Sequence, residues 1–208
     1  MTVPEALIAF TVAAGLLTLT PGLDTALVLR TAAVEGPKTA WLAAIGIFIG
    51  TLGWGALVAL GAGTLLATSP MAFLVLKWAG AAYLLWLGLR LILKPRDRFE
   101  VAGAAPPPRS GLAWLSRGAL NNLLNPKAGV FYVSFLPQFV PAHVPAAPFM
   151  FLLAMLHDVL GAIWFAILIG ATQPISQLLR RAGVVRWLDR LTGGVFMGFG
   201  VRLALERR

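Results

Sequence analysis

"LTLTPGLDTALVLR", Leu17 to Arg30, lies in a stretch apolar enough to cross a membrane, yet it carries Pro21, Gly22 and, two residues further on, Asp24. Proline has no N–H, and its ring clashes with the carbonyl four residues back. The Leu17 carbonyl therefore loses its helical partner, and Gly22 lets the chain bend further. Inside hydrocarbon an orphaned carbonyl is tolerated only where something satisfies it again or where it lines a wet cavity. Asp24 falls in the first turn of the helix that resumes, and an ionisable group in a membrane segment is a functional-site hypothesis by default. The plainer alternative is a packed proline kink, with Asp24 an ordinary first-turn acid near the interface.

The rest of the chain supports the membrane setting. Of 208 residues, 59% are hydrophobic and only 12% charged, with a mean hydropathy of +0.83. Such a chain cannot cover itself with a wetted polar surface. The net charge of +9 does not indicate a nucleic-acid partner, because the basic residues stand in the gaps between apolar runs instead of gathering on one face. There is no cysteine, which excludes disulfides and thiolate sites, and His143 and His157 are too few for a histidine-built metal site. No cofactor or metal is expected. The first apolar run has no basic lead and no cleavage site, so it reads as a retained span.

A helix crossing the hydrocarbon needs roughly 20 largely apolar residues. Six candidates satisfy this: about Ala6 to Leu29, Thr39 to Gly63, Met71 to Leu93, Gly111 to Phe139, Pro148 to Thr172 and Trp187 to Leu205. The last is the weakest, and a five-span chain with a peripheral C-terminal helix is the alternative. A turn falls near Ser69 and Pro70, and "KPRDRFEVAGAAPPPRS" reads as a solvated cytoplasmic linker. The expected organisation is thus a first three-helix half, 1–95, a charged, Pro-rich linker, 96–110, and a second three-helix half, 111–208. Arg30, Lys38, Arg90, Lys94, Arg117 and Arg186 all flank loops on one side, whereas the N-terminal lead and the turns near Pro70 and Pro141 have no Lys or Arg. Basic loops stay in the cytoplasm, so both termini are expected on the opposite side, although the tail "RLALERR" runs against this.

A repeat supports the two halves. Ala81 to Leu93 set over Gly193 to Leu205 pairs Gly88 with Gly200, Arg90 with Arg202, Leu91 with Leu203 and Leu93 with Leu205. A second break matches the first. "NNLLNPKAGVFYVSFLPQ" carries Asn125-Pro126, and Pro126 frees the carbonyl of Asn122. Three spans per half would invert the second half, and inverted repeats with paired broken helices place a substrate site at the midplane. Asn121, Asn122, Asn125 and Lys127 are costly in a membrane unless they bond to one another or to a ligand. The alternative is an interfacial helix start, with the asparagines capping and Lys127 snorkelling. His157 and Asp158 are neighbours that point to different faces and are weaker proton-coupling candidates. Gly46 and Gly50 have the spacing that lets helices approach closely.

"LTPGLD", "KWAGAAYLLWLGLRL" and "NLLNPKAGVFYVSFLPQF" together resemble the LysE/RhtB family of bacterial amino-acid exporters, over essentially the whole chain. The resemblance implies a six-helix bacterial inner-membrane protein that exports amino acids or close derivatives, driven by the proton gradient, and leaves room for a homo-oligomer. The family's first motif usually reads Thr-Pro-Gly-Pro-Asp. Here Thr20, Pro21, Gly22 and Asp24 match and Leu23 departs; Asn125, Pro126 and Lys127 match the second motif.

The expected mechanism places a zwitterionic amino acid between the breaks. Its ammonium would meet Asp24 and freed carbonyls, and its carboxylate would meet half-helix N–H groups and Lys127. Asp24 would exchange a proton for substrate, unless it pairs permanently with Lys127 as a structural lock. A membrane enzyme would need a nucleophile, metal ligands or a carboxylate pair, which the sequence does not offer. A channel, or a structural or assembly membrane protein without transport activity, is the competing reading.

Overall fold

Thr2 opens the first helix with a capping box: its hydroxyl accepts from the Glu5 N–H, and the Glu5 carboxylate accepts from the Thr2 N–H at 2.9 Å. The helix, α1 (Val3–Leu19), stops where the sequence says it must. Thr20 is its last bonded residue, donating its N–H to Leu16, and Pro21 cannot continue the ladder. Gly22 caps α2 (Leu23–Val34), which leaves at 53° to α1. A computed structural model of the chain describes residues 1–68, 70–95, 110–172, 174, 177 and 181–205. The expected turn residue Ser69, the expected linker apart from Ser110, and the tail after residue 205 lie outside them.

The described elements are helical throughout. After α2 come α3 (Pro37–Thr68), α4 (Pro70–Leu93), α5 (Gly111–Leu123), α6 (Pro126–Phe135), a 3-10 turn (Leu136–Phe139), α7 (Ala146–Gly170) and α8 (Ala182–Leu205). The fourth expected span is therefore two helices and a turn, divided at Leu124 and Asn125. Among the described residues, Pro37–Gly61 and Ala146–Gly170 are long and apolar enough to cross a membrane alone, and α1 with α2 passes as one bent span.

Tight pairings organise the bundle: α3 against α5, α4 against α8 and α3 against α7. The first is a glycine contact. A Cβ on Gly46 would run into the Leu115 carbonyl, and one on Gly118 into the Ala43 carbonyl, while at Gly50 it would stand 2.9 Å from the Ala119 carbonyl oxygen. Helix association in lipid depends on packing and not on a hydrophobic drive, so small residues that let backbones meet supply it. Gly46 and Gly50 thus pack as their spacing predicts. In the second pairing Gly88 lies against Gly193 and Met197, and Gly200 against Ala81 and Leu85. In the third, Gly55 lies against Ala154 and Gly161 against Phe48.

The largest buried side chains are aromatic and come from α1, α6 and the 3-10 turn. Phe10 meets Phe139 edge-on at 5.4 Å and Phe131 stacks on Phe135 at 4.9 Å, with Tyr132 fully buried beside them. This cluster holds the middle of α1 against the later turns of α6 and the 3-10 turn.

Candidate functional site

Three asparagines converge on one carboxylate. Asn121 Nδ2 donates to Asp24 Oδ1 at 2.7 Å, Asn122 Nδ2 to Asp24 Oδ2 at 3.0 Å and Asn125 Nδ2 to the same oxygen at 3.3 Å. All the donors come from the α5–α6 break and the acceptor from the α1–α2 break. Of the capping expected at the second break, the asparagine that supplies it for α6 is Asn125. It caps α6 through Oδ1, which accepts the Lys127 N–H at 3.0 Å, and it binds Asp24 with the other end of the same amide.

Lys127 reaches across to the first break. Its Nζ crosses to α1 and donates to the Leu17 carbonyl at 2.9 Å and the Thr20 carbonyl at 2.8 Å. The carbonyl that Pro21 strips of its helical partner is thereby satisfied by a lysine more than a hundred residues away. In this conformation Lys127 takes the oxygens that the sequence reading assigned to a substrate ammonium. The second orphan is also met: the Asn122 carbonyl accepts from the Asn125 N–H at 3.0 Å and from the Trp54 indole at 3.4 Å. Gly129 makes room for that indole, since a Cβ there would stand 2.7 Å from the ring. Trp54→Phe is expected to lower stability by roughly 0.5–1.5 kcal/mol through loss of this bond, read as a drop in melting temperature of the detergent-solubilised protein. An unchanged melting temperature would mean that the indole bond carries no net stability.

A cavity opens where the breaks cross. Its wall includes the polar Thr20, Asp24, Asn122, Asn125 and Lys127 together with the apolar Ile47, Phe48, Ala128 and Phe165. The space measures about 70 Å³, against the roughly 10–15 Å³ that one water takes by that measure. It accommodates a cluster of a few waters or a small polar head group. Asn122 is 4% exposed, and its Oδ1 is a buried oxygen packed against Gly50 with no hydrogen-bond partner among the described residues.

His157 and Asp158 both line this cavity but serve different neighbours. His157 Nδ1 lies 2.9 Å from the Tyr132 hydroxyl and Nε2 lies 3.1 Å from Thr18 Oγ1, while Asp158 shares a hydrogen bond with Thr51. The pair is not a dyad, as helix geometry requires. Thr18, Thr51, Trp54, Tyr132 and Thr192, whose hydroxyl bonds that of Thr20, are site residues that the sequence reading missed. Thr18 and Thr20 also return a bond to their own helix, at Ala14 and Leu16. A threonine in a membrane helix has that local use, so nothing in its neighbours' identity marks a second one.

Residues 16–207, which include both breaks, match the family whose description is LysE type translocator. The chain belongs to that family. LysE type translocators are membrane transporters and not enzymes, and this chain is a membrane protein of that class. Among curated relatives, a leucine efflux protein of Klebsiella pneumoniae is 37% identical over 94% of this chain and 92% of its own length. A leucine efflux protein of Enterobacter sp. is 33% identical over 94% of this chain and 93% of its own. An uncharacterised membrane protein, YrhP, of Bacillus subtilis is 27% identical over 97% of this chain and all of its own length. No solved structure matches the chain.

Proposed function

We propose that this LysE type translocator exports an amino acid with an apolar side chain, leucine first among the candidates, from the cytoplasm of a bacterium in exchange for protons. The observation that carries the reading is Asp24: a carboxylate held between two broken helices by three asparagine amides, on the wall of a cavity that Ile47, Phe48 and Phe165 also line. The family match and the leucine efflux relatives support the substrate class.

The substrate's ammonium approaches Asp24, and its carboxylate approaches Lys127 and the first N–H groups of α2, which carry the positive end of that helix's dipole. Its side chain lies toward Ile47, Phe48 and Phe165. Thr20, Pro21, Gly22, Asn121, Asn125 and Pro126 shape and hold the site. Asp24 carries the exchanged proton, with His157 and Asp158 as further carriers on the same cavity. At about 70 Å³ the cavity has to widen to admit a leucine side chain, and alternation of the two halves about the breaks supplies that movement.

The architecture behind this reading is six spans in the inner membrane, arranged as two inverted three-helix halves, 1–95 and 111–208, with loops 1–2, 3–4 and 5–6 cytoplasmic and the termini opposite. The glycine contacts support it. When Gly88 is matched to Gly200 and Ala81 to Gly193, the contact Gly88–Gly193 becomes Gly200–Ala81 and Gly88–Met197 becomes Gly200–Leu85. When Gly55 is matched to Gly161 and Phe48 to Ala154, Gly55–Ala154 becomes Gly161–Phe48. Contacts that exchange in this way are what a two-fold relation between halves produces.

The test is uptake of a panel of radiolabelled amino acids into inverted membrane vesicles with and without an imposed proton gradient. Gradient-dependent, saturable uptake of leucine and its branched apolar analogues is the expected result. No uptake of any panel member above vesicles lacking the protein would refute the proposal.

A further inference from the structure

We infer that Lys127 is a tethered cation occupying a monovalent-cation subsite, formed by the carbonyls at the broken end of α1, that broken-helix transporters otherwise fill with a free ion. The carbonyls of Leu17 and Thr20 converge on one point, and the Lys127 ammonium stands there at 2.9 and 2.8 Å. Both oxygens belong to the C-terminal end of a helix, where the dipole's negative end adds to their own. Unwound carbonyls and half-helix C-terminal ends are the groups that coordinate Na⁺ in secondary transporters of this plan.

The position of Lys127 in its own helix points the same way. It is the second residue of α6, at the end where a cation is disfavoured by the helix dipole. Its base is fixed by the bond from its N–H to Asn125 Oδ1. Its stem passes Gly22, where a Cβ would stand 3.7 Å from Nζ and 3.8 Å from Cδ. The lysine is thus delivered across the gap to the other break, and an ammonium, as a compact charge with three donors, suits a carbonyl cluster.

A protein that carries its own cation has no need of Na⁺ or K⁺. Removing the ammonium while shortening the stem opens a subsite that a free ion of the same chemistry can enter. The probe is methylammonium, and two readouts are used because the inference rests on the proposed function for only one of them. In liposomes holding the purified protein, replacing all Na⁺ and K⁺ by choline should leave wild-type leucine flux within about twofold. Lys127→Ala should lose at least about tenfold in choline and regain most of that loss on addition of methylammonium. Independently of transport, methylammonium should raise the melting temperature of Lys127→Ala in a saturable way and leave that of the wild type unmoved.

Lys127→Gln keeps the stem and a neutral donor, and serves if the alanine variant does not fold. It should lose at least about tenfold of flux and gain nothing from methylammonium, because its side chain fills the space. The inference is overturned by a Na⁺ requirement of the wild type, by wild-type flux in choline from either variant, or by a melting shift in Lys127→Ala no larger than in the wild type. A wild type without flux in any buffer would instead refute the proposed function, and the melting shift would still decide the subsite.

Discussion

Asp24→Asn is expected to reduce amino-acid uptake into inverted vesicles to the level of vesicles lacking the protein, a loss of at least about 100-fold, or roughly 2.7 kcal/mol of transition-state stabilisation. The substitution keeps the side chain's volume and changes its chemistry twice. It removes the negative charge that a substrate ammonium would meet. It also turns one accepting oxygen into a donating amide, set against Nδ2 groups of Asn121, Asn122 and Asn125 that lie 2.7 to 3.3 Å from the carboxylate. At least one donor is then left facing a donor, at a cost of about 1–3 kcal/mol for a buried unsatisfied group. Immunodetection in the membrane fraction, run beside the flux, separates loss of function from loss of protein. A variant present at wild-type level with wild-type flux would reduce Asp24 to a brace between the breaks.

Gly118→Val is expected to be the most destabilising single change outside the cavity. A Cβ at Gly118 would collide with the Ala43 carbonyl and stand 3.0 Å from the Ile47 N–H, so α5 could not stay where it lies on α3. Overpacking of a close contact costs typically 1–3 kcal/mol, and here the obstacle is backbone, which cannot turn aside as a side chain does. Because α5 carries Asn121 and Asn122, its retreat also withdraws two of the three donors from Asp24. The melting temperature in detergent and the leucine flux should fall together. Gly194→Ala is the matched control: nothing lies within 4 Å of a Cβ there, and its effect should stay within about 0.5 kcal/mol. Equal melting temperatures for the two variants would show that the α3–α5 contact does not limit stability.

Both changes act on pairs far apart in the chain, which no local stretch of sequence brings together. The membrane setting, the helical class and the place of each break were legible in local sequence. Hydropathy is a sum over local composition, and the loss of the Leu17 and Asn122 helical partners follows from the missing N–H of Pro21 and Pro126 alone. The glycine spacing of Gly46 and Gly50 foretold a close helix contact without naming the partner. It took the packing of the helices to set Asn121, Asn122 and Asn125 on one carboxylate, Lys127 on the carbonyl released by Pro21, Trp54 on the one released by Pro126, and His157 between Tyr132 and Thr18. Those partnerships depend on how far each helix is rotated and advanced against its neighbours. Many glycine and aromatic contacts set that jointly, and no local stretch of sequence contains it.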